Sequence, residues 1–248
     1  MKPFLFLSLL LVPLALSAQP KPPGKDAPVV QYSSPLFVTP LAKVTVVLRG
    51  QKLDSVTEVK SGDATVTAKL VGKGKKATVP NNFPANKLGE SECEVELTFP
   101  KEFSPEQVAL TVTSPTGTSE QYNLVVVGKP TVEIEPNDNF ANAQPITLPV
   151  IVEGTIGKER DVDVFKFEGK KGQAVTFEIV AARLGAPTDA LITLYDMTKG
   201  IVGIVDDTGD STDPIFKCTL PRDGTYFITV IDAADLGGPQ FGYRLKGR

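Results

Sequence analysis

The sequence predicts an all-β fold made of two β-sandwich domains in tandem. Three observations lead there. Nearly every regular segment alternates apolar with polar residues or is rich in β-branched ones; Gly, Pro, Asn or Asp punctuates the chain at short intervals; and no long stretch carries a helical period. The 248 residues are enough for one large or two ordinary domains, each burying a core. Gly128-Lys129-Pro130 interrupts the strand pattern near the middle, and the domain boundary is placed there.

Taken in order, residues 1–18 carry Lys2, an apolar run over 4–16, then Ser17 and Ala18, the pattern of a secretory signal peptide. The run is too short to span a bilayer and no later segment is apolar enough to do so. Residues 19–28, rich in Pro and Lys, are expected to be a flexible leader. The first sandwich, 29–128, is assigned strands at 43–49, 57–60, 64–70, 93–99, 108–113 and 122–127. The second, 129–248, is assigned strands at 152–156, 164–168, 174–180, 190–195, 201–205, 215–220, 225–231 and 242–245.

Composition excludes several functions. With 26 basic against 29 acidic residues, a net charge of −3 and no block of either sign, nucleic acid is not an expected partner. The chain has no His, which removes Ser/His and Cys/His nucleophile pairs and every His-based zinc or iron site. Cys93 and Cys218 sit on the apolar phase of their strands and read as buried, unpaired thiols, against an interdomain bridge or a reactive thiol.

The informative stretch is VEIEPNDNF, from Val132 to Phe140, together with Asp161-Val162-Asp163-Val164-Phe165 about one hairpin later. In extended backbone, residues two apart face the same side. Glu133, Glu135 and Asn137 therefore present oxygens along one edge with Asp138 beside them, as a hard cation requires. The competing reading is that Asn137 or Asp138 caps a short turn over 139–143 while Glu133 and Glu135 lie on a solvated edge. Arg160 also stands where it would neutralise Asp161 in place of an ion.

Residues 131–247 resemble a bacterial pre-peptidase C-terminal domain. The likeness rests on Glu135-Pro136-Asn137-Asp138, Gly154-Thr155-Ile156, Asp161-Val162-Asp163-Val164-Phe165, Gly172-Gln173, Leu194-Tyr195-Asp196, the Asp206-Asp207 turn and Gly224-Thr225-Tyr226-Phe227-Ile228. It implies a jelly-roll-like sandwich and a calcium clasp: Glu133, Glu135, Asn137, Asp138, Asp161 and Asp163, with Thr155 through its carbonyl. Collagen-binding relatives carry tyrosines where this chain has Ile231 and Ala233, so collagen is not the expected ligand. Residues 28–128 resemble, more loosely, an immunoglobulin-like domain of the transcription-factor and plexin-repeat type, through the run from Val44 to Gly50 followed by Leu53 and Val59.

A second acidic run, from Asp206 to Asp213, has the composition of a tight surface turn and lacks the spacing of an EF-hand loop. Most of the five tyrosines read as core or core-edge packing. The expectation is a secreted, non-catalytic binding module, extracellular or periplasmic, with a calcium-stabilised second sandwich. Its partner would be a surface or matrix protein or a polysaccharide. The alternatives are a spacer or assembly domain for an exported protein, or a hydrolase run by a carboxylate pair.

Overall fold

The computed structural model describes residues 24–79 and 85–248. The expected signal peptide and residues 19–23 of the expected leader lie outside the described residues. The first half contains β1 (Val29–Ser34), β2 (Phe37–Val38), β3 (Val44–Gln51), β4 (Glu58–Ser61), β5 (Thr67–Lys76), α1 (Ala85–Leu88), β6 (Ser91–Thr98), β7 (Gln107–Ser114), β8 (Gly117–Thr118) and β9 (Tyr122–Val126). The second half contains β10 (Thr131–Val132), β11 (Gln144–Pro145), β12 (Val150–Thr155), β13 (Asp163–Gly169), β14 (Ala174–Val180), β15 (Ala190–Tyr195), β16 (Ile201–Val205), β17 (Ile215–Thr219), β18 (Gly224–Asp232) and β19 (Gly242–Gly247).

These strands make two pairs of sheets. In the first half, β1-β3-β6-β5 faces β2-β9-β7-β4, with β8 added to β7. In the second, β10-β12-β19-β14-β17 faces β11-β13-β18-β15-β16. The sequence alternation explains the layering. Cys93, Val95 and Leu97 of β6 turn inward onto Val108, Leu110 and Val112 of β7, while glutamates occupy the outer phase. Phe165 and Phe167 of β13 meet Phe177 and Ile179 of β14 in the same way. Cys93 is buried, Cys218 is part-buried, and both are free thiols.

Several elements differ from the sequence expectation. β1 was not assigned, because a register shift between Val30 and Tyr32 breaks its alternation. β5 runs on to Lys76 through a polar tail, past a second shift between Val71 and Lys75. The expected helical turn over 139–143 is an Asx turn, in which Asn139 Oδ1 accepts the amides of Ala141 and Asn142. Residues 24–28 of the expected flexible leader are held. The Ala27 amide closes a turn on the Gly24 carbonyl, Ala27 and Pro28 are buried, and Lys52 Nζ pairs with Asp26 at 3.0 Å.

The two halves interlock. Tyr32, Leu36, Phe37 and Leu88 from the first half belong to the core cluster of the second. Gly185, at φ +87°, lies so close to β1 that an added Cβ would sit 2.1 Å from the Gln31 carbonyl oxygen. The Arg244 guanidinium lies over the Phe37 ring at 4.2 Å.

Candidate metal centre

The chain leaving β10 continues extended beside β12, and the Glu133 amide donates to the Glu153 carbonyl. This lays the acidic stretch along the sandwich edge. Gln144 fixes it there, its Oε1 accepting the Ile134 amide at 2.7 Å and its Nε2 donating to the Val132 carbonyl at 3.0 Å. The Val164 amide donates to the Asn137 carbonyl at 3.0 Å, which brings the start of β13 against the same segment.

Six of the seven residues named from the sequence converge through their side chains. Carboxylate oxygens of Glu133, Glu135 and Asp163 lie within 4.8 Å of one another, as do those of Glu135, Asp138 and Asp161. Glu135 is therefore common to two adjoining groups. Asn137 joins them: its Nδ2 donates to Glu133 Oε1 at 3.0 Å, and its amide donates to Glu135 Oε2 at 3.0 Å. Thr155 enters through its amide, which donates to Glu133 Oε2 at 2.8 Å.

The cluster is buried at its centre and open at its rim. Asn137, Asp161 and Asp163 are buried, Glu133 is part-buried, and Glu135 and Asp138 are exposed. Burial, with Glu133 facing it, pushes the Asp163 carboxyl up to about 10. Burial also raises Glu133, against the hydrogen bonds it accepts from Thr155, Asn137 and Tyr243. Two neighbouring carboxylates taken out of water need a proton or a cation between them.

Two further features were not read from the sequence. Tyr243 Oη donates to Asp163 Oδ2 at 2.7 Å and lies 3.2 Å from Glu133 Oε1, so a fully buried phenol ties the two carboxylates together. The signal for it was Gly154, which pairs with Tyr243 in the β12–β19 register; a Cβ there would lie 2.3 Å from the ring. The cation beside Asp161 is Lys158, whose Nζ is 3.2 Å from Asp161 Oδ1 and 3.3 Å from Asp138 Oδ1. Arg160, the residue considered for that role, turns instead to Asp235.

The arrangement fits a hard cation. Asn137 Oδ1 and Asp163 Oδ1 are buried and accept no hydrogen bond, whereas buried acceptors are ordinarily satisfied. With Glu133, Glu135, Asp138 and Asp161 around them, the donor set is all oxygen, the chemistry of calcium rather than zinc. The other acidic run closes as a turn at its tip, while at its start carboxylate oxygens of Asp206 and Asp207 lie within 4.8 Å of each other and of Asp189. Thr208 and Ser211 bridge across it, and Asp213 is spent on the amides of Ala181, Ala182 and Arg183 and on the Arg183 guanidinium.

Comparison with known proteins agrees with the motifs. A probable subtilase-type serine protease of Deinococcus radiodurans is 36% identical over 99 residues, which are 39% of this chain and 14% of that protein. The chain therefore spans only a small part of that relative. Among solved structures, the pre-peptidase C-terminal domain of a Bacillus anthracis collagenase aligns at 15% identity and a TM-score of 0.34, over 43% of this chain and 94% of that one. PliG, a periplasmic lysozyme inhibitor of Aeromonas hydrophila, aligns at 14% and 0.32, over 48% and 100%. Residues 161–232, which include Asp161 and Asp163 but neither the Glu133 segment nor Tyr243, match the family of bacterial pre-peptidase C-terminal domains, and the second sandwich carries that domain.

Proposed function

We propose that this chain is an exported, non-catalytic binding module whose second sandwich is clasped by calcium and which contacts an extracellular protein or polysaccharide. One observation carries the clasp: two buried oxygens, on Asn137 and Asp163, accept no hydrogen bond amid four further acidic side chains. A bound calcium would supply the positive charge that the carboxylates otherwise replace with a shared proton and with Lys158. The residues do the positioning. Gln144 and Asn137 hold the linker edge, and Tyr243 holds Asp163 toward Glu133.

The magnitude is modest. Extracellular calcium modules bind at roughly 0.1 to 1 mM, so at ~1 mM calcium and a ~0.1 mM dissociation constant the gain is about 1.4 kcal/mol. That gain orders the segment joining the sandwiches without deciding whether they fold. A hydrolase that used Asp163 is disfavoured, because this carboxyl is fully covered and already hydrogen-bonded to Tyr243. The interlocked core of the two halves favours, as a second reading, a rigid spacer or assembly domain of an exported protein.

The test is calorimetric titration of calcium into the mature chain, with thermal unfolding in calcium and in chelator, repeated on Asp161→Asn and Asp163→Asn. Saturable heat and a raised unfolding temperature, both lost in the variants, are expected. No heat and no shift would leave the carboxylates sharing protons and sink the clasp.

A further inference from the structure

Arg244 is 7% exposed, yet its Nε and Nη2 have no hydrogen-bond partner. Those two atoms form the side-on edge of the guanidinium, the fork that takes a carboxylate with two parallel hydrogen bonds. A buried cation with an empty fork is costly unless an anion completes it.

Its neighbours do not complete it. Among the described residues, no ion pair joins Arg244 to a carboxylate. Glu153, its cross-strand neighbour, makes no ion pair or hydrogen bond with it, and its own Oε1 is buried without a donor. Glu106, whose charge also acts on Arg244, lines the same cleft without an ion pair to it.

Arg244 lines a cleft of about 790 Å³ between the sandwiches, within the roughly 300 to 1,000 Å³ of ligand sites. Lys246 stands two residues along β19 on the same face and pairs with Glu178 at 3.7 Å. The remaining walls include Val125, Val127 and Ile151. The ring beside Arg244, Phe37, is buried beneath the guanidinium, so it offers no open aromatic face for a sugar.

We propose that this cleft binds an acidic peptide segment of a partner protein, one carboxylate taken by the Nε and Nη2 fork of Arg244 with Lys246 adding charge beside it, and flanking aliphatic side chains set against Val125, Val127 and Ile151. The site is separate from the carboxylate cluster. It rests on the binding-module reading and narrows the partner to protein.

The test uses the mature chain and a blocked hexapeptide with one Glu between Val and Leu, the same peptide with Gln, trigalacturonate, and sodium acetate. Each is titrated calorimetrically in calcium and in chelator. The Glu peptide is expected to bind at least about tenfold more tightly than the Gln peptide, the worth of one charge-assisted fork. Arg244→Lys keeps the charge without the fork and is expected to erase that preference. Lys246→Gln, at a part-exposed position, is expected to weaken the Glu peptide a few-fold while the protein stays folded. Equal binding of the two peptides would overturn the proposal. So would trigalacturonate binding without peptide binding, or an Arg244 Nε–H resonance that ignores every probe and moves only in Glu153→Gln. Peptide binding without calcium heat would remove the clasp and keep the cleft; calcium heat without peptide binding would do the reverse.

Discussion

Tyr243 and Asp163, 80 residues apart in sequence, meet in a buried hydrogen bond of 2.7 Å that closes the acidic cluster from the core side. The phenol donates to Oδ2 of a carboxyl whose other oxygen, Oδ1, has no hydrogen-bond partner. Tyr243→Phe therefore leaves both Asp163 oxygens without donors. The expected cost is about 1 to 3 kcal/mol in chelator, the penalty for an unsatisfied buried acceptor. Urea unfolding of the two proteins measures it, and an unchanged midpoint would show that water reaches Asp163.

Gly154 faces that ring across the β12–β19 pair. In Gly154→Ala the new methyl would lie 2.3 Å from Cζ and 2.4 Å from Oη of Tyr243, inside any real contact. The ring that holds Asp163 must move, so the substitution is expected to cost about 1 to 3 kcal/mol by overpacking. It should also weaken calcium uptake. Equal stability and an equal calcium isotherm would mean that the ring has room the structure does not show.

The parts of the centre differ in how legible they were. Glu133, Glu135, Asn137 and Asp138 could be grouped because extended backbone repeats every two residues, and the structure does bring them together. Asp161 and Asp163 join them across one hairpin, a contact only slightly less local. From sequence Tyr243 reads as packing, because its partner lies 80 residues back and strand pairing over that distance leaves no local period. The sequence favours Arg160 over Lys158, because it carries the same charge and stands next to Asp161. The backbone decides between them: Arg160 adopts φ 59° and turns toward Asp235. In the fold, the strands that alternate cleanly were found, whereas β1, with its irregular register, was not.

Glu153 makes stability fall with pH. Its ordinary value of 4.5 is raised to about 7 by burial, against the opposing pull of Arg244. The folded protein thus keeps a proton that the unfolded chain releases, so this contribution is whole below pH 4.5 and is lost as the pH rises through 7. Asp163 contributes a fall of the same sign, so the informative quantity is a difference. In chelator, Glu153→Gln is expected to lose less stability between pH 5 and 7.5 than the parent does. Identical pH slopes would show that Glu153 titrates as an exposed carboxylate.

Phe37 tests whether the two sandwiches unfold as one. It belongs to the first half by sequence, yet it is buried in the core cluster of the second and lies under the Arg244 guanidinium. Phe37→Ala removes a buried ring at an expected cost of about 3 to 5 kcal/mol. It also uncovers the flat side of a cation that already lacks hydrogen-bond partners. The loss falls on the junction, where Tyr32, Leu36 and Leu88 reach into the same cluster. Differential scanning calorimetry of the parent should therefore give one transition, because the core of the second sandwich is completed by Tyr32, Leu36, Phe37 and Leu88 of the first. Phe37→Ala should lower that transition and split it in two, the first sandwich retaining its own cluster around Leu48, Val95 and Leu110. Two separate transitions already present in the parent would show that the shared core does not couple the halves.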